Sequence, residues 1–300
     1  MFFKRFFSKF EVQKKVLKIF ELHSYQEFQK FFRKNLQGIA QLSKYEASLI
    51  PKKQKSFYLD GFCYPCQKKS QFLVDFKYAI KQANKLIPNW RERLVCKTCK
   101  LNNRMRATLH IFLEYLSPQK GDVIYITEQT TPVYLWLKER FENLYASEFL
   151  GESIPYGTYN GQGIRNENLT ALSFPEEKFA YILSFDVLEH IPNYKKALKE
   201  CFRCLKTGGY LYFSVPFLLD SPKNIQRAFL DEEGYVHHIL PPEYHGDPLN
   251  PEGCLCFYHF GWELLEDLKN IGFKKAKVLL YWSRDFGYLG GYQPLFITQK

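Results

Sequence analysis

Hydrophobic positions change rhythm near residue 120 of this 300-residue chain. Beyond it, short runs of β-branched and aromatic residues alternate with stretches whose apolar positions recur every three or four residues. That is the pattern of strands and helices taken in turn, an α/β sheet. Residues 122–127 (DVIYIT) read as a buried strand, and TPVYLWLKERF after it as a helix. Thr131 is placed to cap that helix, and Pro132 occupies its first position, where the missing N–H is not needed. Further strands are expected at 143–149 (NLYASEF), 168–174 (NLTALSF), 181–187 (YILSFDV), 210–217 (YLYFSVPF), 276–282 (AKVLLYW) and 293–299 (QPLFITQ). Helices are expected at 193–206, stopping at Gly208 and Gly209, and at 261–273. The proline-rich segment 218–258 fits neither period, and long irregular segments in compact domains commonly serve as lids or binding loops.

Charge divides the chain differently. Residues 1–58 hold thirteen Lys/Arg against four Glu, whereas the remainder holds 29 basic against 27 acidic residues. A basic arm joined to a nearly neutral body is therefore expected, and a body without a stripe of positive charge argues against a nucleic-acid-tracking groove. The arm opens MFFKRFFSKF, with Phe3, Phe6, Phe7 and Phe10 at helical spacing among Lys4, Arg5 and Lys9. Such a helix can pack its aromatic face on its own body or on a partner protein, or bind weakly to an anionic membrane surface. No apolar run approaches the roughly 20 residues of a membrane span, and the N-terminus lacks the apolar block of a secretory signal. The expectation is a soluble, cytoplasmic protein.

Eight cysteines fall into four pairs. Cys63 with Cys66 and Cys96 with Cys99 each show the C-x2-C spacing that turns two thiolates toward one tetrahedral ion, and two such pairs about thirty residues apart complete a four-sulfur set. A structural zinc site is expected, closed to substrate because no coordination position remains. Cys201 and Cys204 share the spacing but lie on the apolar stripe of the 193–206 helix, so they read as core thiols. Cys254 and Cys256 lie near His245, Asp247 and His259 in no standard metal-binding spacing. Organisation is read as an arm at 1–58, a zinc module at 59–105 and a catalytic-type domain at 106–300.

The block FPEEKFAYILSFDVLEHIPNYKKALKECFRCLKTGGYLYFSVP resembles the centre of class I S-adenosylmethionine-dependent methyltransferases of the type 11 kind, where a strand ends in an acidic residue, E-H-I/V follows, and a helix closes at L-K-x-G-G. The cysteine pairs and the LNNRMRA after them resemble a bacterial subgroup with a zinc module ahead of the sheet. The resemblance implies a Rossmann-like, mostly parallel seven-stranded sheet with flanking helices, and S-adenosylmethionine as cofactor. It assigns the cofactor crevice to Thr127 and Glu128 after the first strand, Glu148 on the ribose hydroxyls, Asn168 and Leu169 by the adenine, and Ser184, Phe185 and Asp186 at the end of the fourth strand. Arg104 is placed to pair with the cofactor carboxylate. The loop after the first strand, TEQTTP, has none of the family's glycines. Side chains and helix N-terminal amides must then do what close-packed backbone does elsewhere.

Methyl transfer needs alignment, and a base only where the acceptor carries a firmly held proton. His190 in LEHIP and His245 with Asp247 in EYHGDP are the candidates, each alternatively a structural histidine. The acceptor expected is a small-molecule or sugar-like biosynthetic intermediate; a non-catalytic scaffold and a nucleic-acid-modifying enzyme are the competing readings.

Overall fold

The computed structural model describes residues 15–82 and 85–300. The aromatic helix expected over the first ten residues lies outside them. The described part of the arm does not stand apart: Lys18–Leu22 is a strand (β1) and Tyr25–Ser48 a helix (α1). Ser24 caps α1 by accepting from the Glu27 N–H.

A hairpin of β2 (Ser56–Cys63) and β3 (Lys68–Asp75), with the short β4 (Val95–Cys96) against β3, carries the four cysteines. Helix α2 (Asn103–Ile111) leads from it into the sheet. The sheet strands are β5 (Ile124–Ile126), β6 (Leu144–Ala146), β7 (Phe179–Phe185), β8 (Leu205–Ser214), β9 (Lys274–Ser283) and β10 (Tyr288–Gln299). Their helices are α3 (Pro132–Lys138), α4 (Tyr194–Cys204) and α5 (Glu263–Ile271).

The seven strands lie in the order β1-β9-β10-β8-β7-β5-β6. Strands β8, β7, β5 and β6 are mutually parallel, while β10 runs against β8, β9 against β10 and β1 against β9. Seven strands were expected, but not these seven. The 168–174 stretch is no strand: Asn168 Oδ1 accepts from both the N–H and the hydroxyl of Thr170, and a local side-chain turn of that kind competes with pairing. The seventh place is taken by β1, from the basic arm, on the opposite edge.

Period-two alternation sorts the sheet's side chains to two cores. Tyr125, Ile182, Leu211 and Phe213 face α4 and α5, whereas Ile124, Ile126, Leu183 and Tyr212 face the side that receives α2 and α3. On α4 the stripe Tyr194, Ala197, Leu198, Cys201 and Cys204 is buried, so both of its cysteines are core thiols. That helix ends at Cys204, earlier than the glycines suggest, because Leu205 already begins β8 and Gly208–Gly209 form an irregularity within the strand. The 218–258 segment is also more ordered than its composition implies. Residues 228–230 pair with 236–238, 244–245 with 254–255, and 225–226 with 258–259. Among the described residues no helix is long and apolar enough to cross a membrane.

Candidate functional site

Open α/β sheets gather ligands beyond the carboxyl ends of their parallel strands, and most expected cofactor residues lie there. Thr127 and Ser184, each buried, join hydroxyl to hydroxyl at 3.1 Å across the ends of β5 and β7. The glycine-free loop is closed by Glu148, whose Oε1 accepts from Gln129 N (2.6 Å), Thr130 N (2.9 Å) and the Thr130 hydroxyl (2.8 Å). The side chain therefore replaces missing glycines by organising the amides of the loop around itself. These bonds all go to Oε1, which leaves Oε2 for a ligand. Thr131 caps α3 as expected, accepting from Tyr134 N with Pro132 next in line.

Glu128 is the most perturbed acid of the loop. Its Oε1 is cut off from solvent with no hydrogen-bond partner, and burial pushes the carboxyl up to about 7 against the pull of Arg104. Asp186 lies close by in the left-handed region, φ +55°, a conformation an aspartate adopts more readily than most side chains. It accepts from Arg91 Nη2 (2.7 Å) and Ser214 Oγ (2.7 Å), with Arg104 Nε at 3.2 Å. Burial alone would raise its pKa, but the two guanidinium groups prevail and hold it well below the usual carboxylate range. Arg104 Nε also lies 3.0 Å from Glu92 Oε1. Arg91 and Glu92, unmarked in the sequence, thus complete an ion network that residues 91–104 bring to the crevice.

Four expected placements are corrected. Asn168 commits its Oδ1 to Thr170 and donates through Nδ2 to Tyr156 Oη, so its acceptor does not face a base. Leu169 is a core residue packed with Leu172 and Ile182, and Phe185 is buried on the opposite face edge-on to Tyr212. Asp247 is not the partner of His245. It accepts from Leu249 N and the Cys254 thiol, because its turn directs the carboxylate back along its own segment. The acids facing His245 are Glu243, whose Oε1 lies 3.0 Å from Nε2, and Glu189, whose Oε1 lies 3.6 Å from Nδ1. The structure does bring His190 and His245 together, ring centroids 5.0 Å apart and nearly perpendicular. Glu189 was visible as the second letter of LEHIP, beside His190; His245, which the fold brings against it, lies 56 residues downstream.

The four cysteine sulfurs converge, with Cys63 to Cys99 at 3.7 Å and Cys66 to Cys96 at 4.0 Å. Gln67 and Lys100, each following a C-x2-C pair, have positive φ, and Lys100 N bonds back to Cys96 O. Thr98 N and Ser70 Oγ also approach Cys96 Sγ.

Comparison with known proteins locates the likeness on this crevice. Residues 130–213 match the family described as Methyltransferase domain. That stretch holds α3, β6, β7, α4 and most of β8. The chain is 29% identical over 89 residues to the ubiquinone biosynthesis O-methyltransferase of Pseudomonas fluorescens, covering 29% of this chain and 37% of that protein. It is 36% identical over 53 residues to a probable S-adenosylmethionine-dependent methyltransferase of Mycolicibacterium smegmatis, covering 18% and 21%. The chain thus spans little more than a third of the curated relatives it matches at greatest length. Among solved structures, an S-adenosylmethionine dependent methyltransferase from Mesorhizobium loti aligns with 64% of this chain and 98% of its own, at 16% identity and a TM-score of 0.41.

Proposed function

We propose that this chain transfers a methyl group from S-adenosylmethionine to a small-molecule acceptor at the carboxyl ends of β5, β6 and β7. The observation that carries this reading is the methyltransferase-domain match over 130–213, the segment that supplies β6, β7 and the helix that follows β5. The residues present fit the cofactor's donors. Its ammonium suits the orphaned Oε1 of Glu128, and its ribose hydroxyls suit the free Oε2 of Glu148. Arg104, beside Glu128, supplies positive charge for its carboxylate. When bound, the cofactor supplies an electrophilic methyl on a sulfonium. The chain's part is to align it and exclude water. The near-neutral body favours a small acceptor over a polyanion.

Calorimetric titration with S-adenosylhomocysteine tests the reading. Heat of binding is expected with the parent and at least a tenfold loss of affinity with Glu148→Ala; no heat with the parent rules the reading out.

Structural zinc belongs to the same proposal. Zn–S bonds of about 2.3 Å at tetrahedral angles place sulfurs about 3.8 Å apart, and the contacts of 3.7 and 4.0 Å fit that spacing. Cys63, Cys66, Cys96 and Cys99 would hold the ion, which needs reduced thiols and so favours the cytoplasm. For the arm, the burial of Phe28, Leu42 and Glu46 of α1 favours packing on its own body over a membrane or partner.

A further inference from the structure

Glu189 is wholly buried, yet neither of its carboxylate oxygens has a hydrogen-bond partner. A buried carboxylate without a compensating donor or cation is costly, and its surroundings show what is missing. His190 Nε2 and His245 Nδ1 each lie 3.6 Å from Glu189 Oε1, too far for a hydrogen bond. The three atoms are mutually within 4.8 Å.

The outer nitrogens of the two rings fix what the inner ones offer. His190 Nδ1 lies 2.8 Å from the Leu255 carbonyl, which only accepts, so Nδ1 carries a proton and Nε2 is the nitrogen turned toward Glu189. His245 Nε2 lies 3.0 Å from Glu243 Oε1, which engages Nε2 and leaves Nδ1 as the nitrogen facing Glu189. Three potential metal-binding atoms therefore converge, and one nitrogen of each ring is already engaged elsewhere. Each imidazole is oriented from behind, one by a backbone carbonyl and one by a carboxylate, as metal-ligating histidines are. Glu243 is itself fixed by His259 Nε2 at 3.0 Å and Arg227 Nη2 at 3.1 Å, so its charge is already answered by protein groups while that of Glu189 is not.

We propose that Glu189, His190 and His245 form a second metal centre, a two-histidine, one-carboxylate site for a divalent transition ion such as zinc. Ligand bonds of about 2.0–2.2 Å at tetrahedral angles separate donor atoms by about 3.4 Å, close to the 3.6 Å found. Three protein ligands leave a position open for an oxygen donor, unlike the closed four-sulfur set. The ion would also clasp the 244–255 hairpin to the end of β7, because His245 lies in the hairpin and Glu189 follows the strand. Its placement next to Asp186 suits an acceptor bearing a hydroxyl, whose proton a bound cation makes easier to lose. That last step rests on the methyltransferase reading; metal binding does not.

The test is metal stoichiometry on the full chain, stripped with chelator, reloaded with zinc or cobalt, desalted and measured by mass spectrometry. The parent should carry one equivalent more than Glu189→Gln and His245→Ala. In the cobalt form, the intense thiolate charge-transfer bands of the four-cysteine site should survive both substitutions. Glu243→Gln, which removes none of the three ligands but weakens the ring's support, should weaken zinc binding at this site about 10- to 100-fold. Equal metal content in parent and variants overturns the proposal. So does a zinc titration of the parent that leaves the His190 and His245 ring signals unshifted by NMR, since an ion-free, protonated histidine would then be answering Glu189. S-adenosylhomocysteine binding retained by a metal-free Glu189→Gln variant separates failure here from failure of the methyltransferase reading.

Discussion

Single carboxylates decide how this crevice behaves, and they do so by what surrounds them rather than by type. Glu148 spends one oxygen on the loop; Glu128 keeps one oxygen orphaned and is pushed up to about 7 by burial. If Glu128 takes the cofactor's ammonium, binding needs its ionised form. S-adenosylhomocysteine affinity should then fall about tenfold per pH unit below 7, and calorimetry on Glu128→Gln should show that slope gone. The same raised pKa has a consequence for stability, with the sign fixed by proton counting. Between its ordinary value and about 7 the folded chain binds a proton that the unfolded chain has released, so this group's contribution weakens as pH rises through that window. A Glu128→Gln variant should gain on the parent from pH 5 to pH 8 in denaturant titrations.

Among elements, α1 and β8 show how local signals were overruled or reused. Helix α1 falls in the basic arm, and its buried Glu46 accepts from Trp282 Nε1, Gly290 N and Gly291 N, which ties the helix to the β9–β10 end of the sheet. Glu46→Ala would strand three donors and should cost about 2–4 kcal/mol in chemical unfolding. In β8, Gly209 allows a close approach that no side chain could share, since a Cβ there would lie 2.9 Å from the carbonyl oxygens of Ala180 and Lys206. Gly209→Ala should therefore destabilise by at least about 2 kcal/mol, although the position read as a simple helix stop. Neither role shows in periodicity, because both depend on a neighbour far away in sequence.

For the whole molecule, a fully buried cation joins the cysteine hairpin to the sheet. Arg106 donates to the Leu94, Phe286 and Gly287 carbonyls and lies 3.8 Å over the Phe72 ring. Strain at the cysteines should thus reach the sheet. Stripping zinc with a chelator is expected to lower Tm by at least about 5 °C by calorimetry, with Cys96→Ser showing the lower Tm without chelator. Local chemistry, written in short stretches, was readable from the letters alone: the C-x2-C pairs, the Thr131–Pro132 helix start, the buried stripe of α4 and six of the seven strands. Each depends on neighbours within one or two turns. Tertiary structure decided the rest. It made β1 an edge strand of the sheet, left 168–174 unpaired as a strand, turned Asn168 and Asp247 back on their own turns, and drew Arg91, Glu92 and Glu189 into the crevice. These outcomes turn on which distant donor meets a buried charge, and a desolvated carboxylate takes whatever partner the fold brings within about 3 Å, at a sequence separation no local pattern encodes.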